Sequence, residues 1–177
     1  MVWLLIIVVV GLVFAPAMWL RPSRRQQRQI RLRETARKAG VTVRLETPPL
    51  HEAGGAMAAY RWAYPQQRPG PDFVLVHNDV SSASLKPCVS GWRWRIEPLR
   101  PLPAPVVARL EEVLAALPED AMVLESGAGT LTLWWDESLE VDALEALLPR
   151  LAALRDVLAG RPDRPASRRR IQPAPPP

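Results

Sequence analysis

Hydrophobic positions divide the chain into stretches of different period. From Val2 to Leu20 the sequence VWLLIIVVVGLVFAPAMWL runs nineteen residues without a charge, close to the ~20 that cross ~30 Å of hydrocarbon as a helix. Trp3 and Trp19 stand at its two ends, where amphipathic rings settle at the headgroup level, and Pro16 falls where a kink is tolerated. No Lys or Arg precedes the run and Ala15-Pro16-Ala17 makes a poor cleavage site. The expectation is therefore a transmembrane helix over residues 1–20 and not a cleaved signal peptide.

Residues 21–40 change the pattern at once, with eight basic residues against Glu34 alone. Arg21, Arg24, Arg25, Arg28, Arg31, Arg33, Arg37 and Lys38 form the charge cluster that stays on the cytoplasmic side of a span. This predicts a single-pass protein of the bacterial inner membrane, N-terminus outside and C-terminus in the cytoplasm. Few helix breakers follow Pro22 and Gly40 suits a C′ position, so a basic juxtamembrane helix is expected. Ile30, Leu32 and Ala36 are too few for a wide apolar stripe, which predicts only shallow packing on the rest of the protein. The arginines fix topology; anionic lipid, RNA or an acidic partner are sharper readings. No aromatic or Gly-rich pattern is interleaved with them, so nucleic acid is not expected as a partner.

From Val41 the period becomes two. Val41, Val43 and Leu45 alternate with polar residues; Tyr60, Trp62 and Tyr64 repeat this; Trp92, Trp94 and Ile96 do so again. Phe73–Val76 is continuous, as in a central strand. After Pro101, Val106, Val107, Leu110, Val113, Leu114 and Leu117 recur at helical spacing until Pro118. Met122–Glu125 and Thr130–Trp135 flank Gly127-Ala128-Gly129 and predict a hairpin. A last helix carries Val141, Leu144, Leu148, Leu151, Leu154 and Leu158, with Asp136 or Ser138 as its cap, Gly160 closing it, and a kink or break at Pro149. Residues 41–160 therefore read as a cytoplasmic α+β domain, a mostly antiparallel sheet with two amphipathic helices on one face. Residues 161–177, RPDRPASRRRIQPAPPP, have no apolar period and read as a disordered tail.

Charge sharpens this division. The domain carries ten basic against sixteen acidic residues, so the net +5 and the pI near 10.3 belong to its flanks. Catalytic chemistry is sparse. Cys88 is the only cysteine and His51 and His77 the only histidines, so neither a disulfide nor a Cys/His metal set is available, and no cofactor is expected. His77, Asp79, Ser81 and Ser82 lie close in sequence, but no nucleophile elbow surrounds either serine. The glycine pairs lack phosphate-loop spacing. No catalytic, cofactor-binding or metal residues are therefore assigned, and no small-molecule substrate is expected. Five of the seven tryptophans fall in the domain. The adjacent Trp134 and Trp135 must point to opposite faces of a strand, which makes the pair a candidate partner surface.

Leu20-Arg21-Pro22-Ser23-Arg24-Arg25-Gln26-Gln27 after an apolar span, with Ala39-Gly40-Val41-Thr42-Val43 more loosely, resembles the preprotein translocase accessory subunit YajC. The likeness covers about the first 45 residues; the Gly-Asp and Gly-Gly turns of that family are not reproduced after the basic helix. It implies association with the Sec translocon. The sequence thus predicts a non-enzymatic accessory protein whose partners are the lipid bilayer and other membrane proteins. The alternatives are a YajC-like translocase subunit and a membrane-tethered hydrolase.

Overall fold

A computed structural model of the chain describes residues 2–3, 23–50, 55–89 and 91–163. Val2 and Trp3 are helical and exposed. The rest of the expected span, with Trp19, lies outside the described residues, as do Arg21, His51 and the tail from Arg164. No helix among the described residues is long and apolar enough to cross a membrane.

Helix α1 spans Arg24–Lys38. Its start is fixed by a capping box: Ser23 Oγ accepts from the Gln26 amide at 3.2 Å, and Gln26 Oε1 accepts from the Ser23 amide at 2.8 Å, satisfying two donors that a helix start leaves open. Its end is the expected one, Gly40 at φ +80 just beyond the C-cap Ala39. The strands are β1 (Thr42–Glu46), β2 (Met57–Ala63), β3 (Phe73–His77), the short β4 (Lys86–Pro87), β5 (Trp92–Ile96), β6 (Ala121–Ser126) and β7 (Thr130–Trp135). Helix α2 (Ala104–Ala116) separates β5 from β6, and α3 (Val141–Leu158) follows β7. The strands form one antiparallel sheet in the order β1-β2-β7-β6-β3-β5-β4. The β6–β7 hairpin turns at 127–129, closed by the Gly127 amide on the Thr130 carbonyl at 3.0 Å.

The α+β class, the antiparallel sheet, the basic helix and the two amphipathic helices are as expected; what differs is that the basic helix α1 packs with the other two on the sheet. Leu32 and Ala36 of α1 are fully buried in the same cluster as Val106 and Leu110 of α2 and Leu151 and Leu154 of α3. That cluster covers Tyr60, Trp62, Phe73, Leu75, Leu131, Leu133 and Trp135. The expectation of shallow packing is thus corrected: a narrow seam suffices because Ala36 lets the helix approach closely beside one inserted leucine. A second, smaller cluster, Ala59, Val74, Val76, Val123 and Trp134, lies on the opposite face.

Helix α3 runs unbroken through Pro149. Its N-cap is Glu140 with no side-chain cap, and neither Asp136 nor Ser138 takes that role. Ser138 is instead drawn to Asp120, its hydroxyl donating to Oδ1 at 2.7 Å and its amide to Oδ2 at 3.0 Å.

Candidate functional site

Two arginines in the first turn of a helix oppose its macrodipole, by about 0.3–1 kcal/mol each. In α1 these are Arg24 and Arg25, of which Arg25 is met by a carboxylate from the loop between β7 and α3, as is Arg28 one turn further on. Arg25 pairs with Asp136 at 2.9 Å and Arg28 with Glu140 at 3.1 Å. The Arg25–Asp136 pair is exposed on both sides, where such contacts contribute little.

The third pair differs in kind. Arg33 Nε donates to Glu137 Oε1 at 2.8 Å and Nη2 to Oε2 at 2.5 Å, a two-pronged fork, while the Tyr60 hydroxyl donates to Oε1 at 2.9 Å. Glu137 is only 2% exposed. A buried carboxylate is tolerable only when its lone pairs are met, and three donors from α1 and β2 meet them. Its backbone sits at φ +61, the only non-glycine positive φ among the described residues. That conformation is disfavoured for a side chain with a Cβ, and the surrounding loop holds it: the Asp136 and Ser138 amides both donate to Asp120 Oδ2 at 3.0 Å. The hydrogen bond and charge of Glu137 raise the Arg33 pKa. Burial first, then the Glu137 charge, drives that of Tyr60 well above the ordinary tyrosine value. The Tyr60 ring also stands edge-on to Trp135, with centroids 5.3 Å apart, so the network is anchored in the main core.

The expected site residues separate accordingly. Arg25, Arg28 and Arg33 serve docking, whereas Arg24, Arg31 and Arg37 are exposed and carry no ion pair among the described residues. Trp134 and Trp135 do face opposite sides of the sheet, but they are 3% and 0% exposed. Neither ring offers a partner surface, because β7 is an interior strand and a residue cluster closes over each face. Trp134 Nε1 donates to Glu125 at 3.2 Å.

His77 Nδ1 lies 3.4 Å from an Asp79 carboxylate oxygen, and its ring packs edge-on to Trp92. The serines do not join them: Ser81 Oγ donates to the Asn78 carbonyl, and Ser82 Oγ bonds Ser84 Oγ. Cys88 is half-buried, and burial with the nearby Glu111 pushes its thiol up to about 11, leaving it little thiolate at neutral pH.

Glu137 escaped sequence reasoning. A lone glutamate in Asp136-Glu137-Ser138 resembles any solvated loop, and its partner lies 104 positions away. The usable signal was the arginine excess in α1, which the expected membrane topology already accounted for.

The fold is thus an α+β unit with three helices on one face of an antiparallel sheet, the first of them basic and ion-paired to a buried carboxylate. No family model and no curated protein matches the chain. Among solved structures, the crystal structure of the mycobacterial trehalose monomycolate transport factor A, TtfA, superposes on 73% of this chain and 94% of its own. The TM-score is 0.40 and the identity 10%. A likeness of that degree assigns this chain no activity and no partner.

Proposed function

We propose that this chain is a membrane-anchored, non-enzymatic accessory protein of a bacterial inner-membrane complex, in which α1 is a rigid strut between anchor and domain. The observation that carries this reading is the Arg33–Glu137–Tyr60 network, which seats the basic helix in the core with Leu32 and Ala36 fully buried. A tether that only spaced a domain from the bilayer would need no such seat. The helix begins at Arg24, four residues beyond the end of the apolar run, and its fifteen residues extend about 22 Å at 1.5 Å per residue. Held this way, the domain presents one fixed face at one height above the membrane, as an adaptor in a membrane complex requires. The seat also places Asp136, Glu137 and Glu140 against arginines, easing the repulsion between an acidic domain and an anionic leaflet. The resemblance of residues 20–27 to YajC makes the Sec translocon the first partner to examine.

The test is photo-crosslinking of the full chain in intact membranes, with probes on exposed domain residues. A discrete membrane-protein partner should be captured by the wild type, by His77→Ala and by Asp79→Ala, and lost in Arg33→Gln and Glu137→Gln. Expression and melting temperature are measured alongside. Should His77→Ala or Asp79→Ala abolish the cellular phenotype as fully as deletion while both clamp variants behave as wild type, the hydrolase reading replaces this one.

A further inference from the structure

We propose that the notch between the start of α1 and the start of α3 receives the phosphate of an anionic phospholipid headgroup, an inference that rests on the membrane-anchored reading above. The notch is a cavity of about 480 Å³ lined by Arg24, Arg25, Gln27, Arg28, Arg31 and Glu140, beside Val141. Arg24, Arg28 and Arg31 recur at helical spacing, so their guanidinium groups converge from one side of α1. Two of the four arginines are already engaged, Arg25 with Asp136 at 2.9 Å and Arg28 Nη1 with Glu140 at 3.1 Å. Arg24 and Arg31 have no carboxylate partner among the described residues, so the notch keeps an excess of positive charge.

A second observation marks the same place. Arg28 Nε is shielded from solvent and has no hydrogen-bond acceptor among the described residues; Arg61 Nε, Trp135 Nε1 and Arg155 Nε share that state elsewhere, and Arg28 is the one of the four that lines the notch. An anionic oxygen in the notch would satisfy it. Guanidinium groups suit phosphate because their forked donors match two of its oxygens. Position selects the source of that phosphate: α1 starts four residues beyond Leu20, the end of the apolar run, and in the membrane-anchored reading that spacing puts the notch near the headgroups. Arg37, which also has no carboxylate partner among the described residues, lies near the far end of the helix and outside the cavity, which provides an internal control.

The experiment is native mass spectrometry of the full chain in neutral detergent, titrated with phosphatidylglycerol or phosphatidylcholine. The wild type should retain one phosphatidylglycerol in preference to phosphatidylcholine. Arg24→Gln/Arg31→Gln should weaken that retention about 30-fold, the loss expected for two basic residues at an anionic surface, while Arg37→Gln leaves it unchanged. Glu137→Gln keeps every arginine but loosens the seat, and should also weaken retention. Equal retention of both lipids, equal effects of Arg37→Gln and the double variant, or full retention in Glu137→Gln would overturn the notch. Displacement of phosphatidylglycerol by inorganic phosphate at comparable concentration would overturn the lipid assignment in favour of a free anion. If lipid binds as expected while crosslinking captures no partner, the accessory reading fails and the notch stands; the reverse pattern removes the notch alone.

Discussion

Removing one side of the Arg33–Glu137 pair should destabilise the protein more from the arginine end than from the carboxylate end. The asymmetry follows from exposure: the Glu137 side chain is 2% exposed and that of Arg33 26%. Arg33→Met strands a buried carboxylate with the Tyr60 hydroxyl as its remaining side-chain donor, and an uncompensated buried charge costs about 3–5 kcal/mol. Because Tyr60 stays, the lower end, about 3 kcal/mol, is expected. Glu137→Gln leaves an arginine already a quarter in water, free to turn outward. The loss is then that of charge-assisted hydrogen bonds, about 2 kcal/mol. In the double variant no charge is stranded, so the combined loss should fall short of the sum by about 1–2 kcal/mol. At about 2–4 °C per kcal/mol for a protein of this size, Arg33→Met should lower the melting temperature by about 6–12 °C and Glu137→Gln by about 4–8 °C. Thermal unfolding of the full chain in neutral detergent, followed by tryptophan fluorescence, reads these directly. If Glu137→Gln proves the more damaging, or if the two losses simply add, the pair is not the coupled unit described.

A soluble fragment beginning at Ser23 should unfold cooperatively, whereas one beginning at Val41 should not, because the latter lacks Leu32, Ala36 and Arg33 and uncovers their seat; equal cooperativity by circular dichroism would exclude α1 from the core. Both tyrosines of the chain have raised pKa values, Tyr60 through burial and Glu137, and Tyr64 through burial to about 12. A pKa raised in the folded state gives stability that is present below the ordinary value of about 10 and lost as pH rises through the folded value. Tyrosinate absorbance should therefore appear only with alkaline unfolding, and a signal near pH 10 in folded protein would contradict the burial. In the proposed orientation, a phosphatase reporter fused after Gly160 should be inactive, and an active fusion would reverse the topology.

Most local elements were legible because their signals are local. Pro118 and Gly127-Ala128-Gly129 mark a helix stop and a hairpin, and Gly40 and Gly160 end helices at φ +80 and +82. Alternation in Trp92-Arg93-Trp94-Arg95-Ile96 located β5, but Ile96 is 51% exposed; period two says which residues share a face, not whether anything covers that face. The place of β3 between β6 and β5 is set by pairings across long stretches of chain and leaves no local trace. The seat of α1 was illegible for a sharper reason. Its apolar seam is one leucine and one alanine, and its arginines already had a sufficient explanation in the expected topology. Ser138 resembled a helix cap, yet Asp120, just before β6, claims it.

In the proposed membrane orientation the arginines of α1 face two demands, and the demands fall at different times. Orientation is decided while the chain beyond Leu20 is still unfolded, when every positive charge counts and acidic residues count little. Glu137 lies 104 positions after Arg33, so the seat cannot form until the domain is nearly complete. Neutralisation by Asp136, Glu137 and Glu140 therefore cannot weaken the topological signal that precedes it. Topology needs only charge, which lysine supplies; the seat needs a planar fork that meets both oxygens of one carboxylate, which lysine lacks. Arg33→Lys should accordingly leave a phosphatase fusion after Gly160 silent while lowering the melting temperature, by less than Arg33→Met because a charge still faces Glu137. A variant with unchanged stability would show that charge alone holds the helix and that the fork contributes nothing.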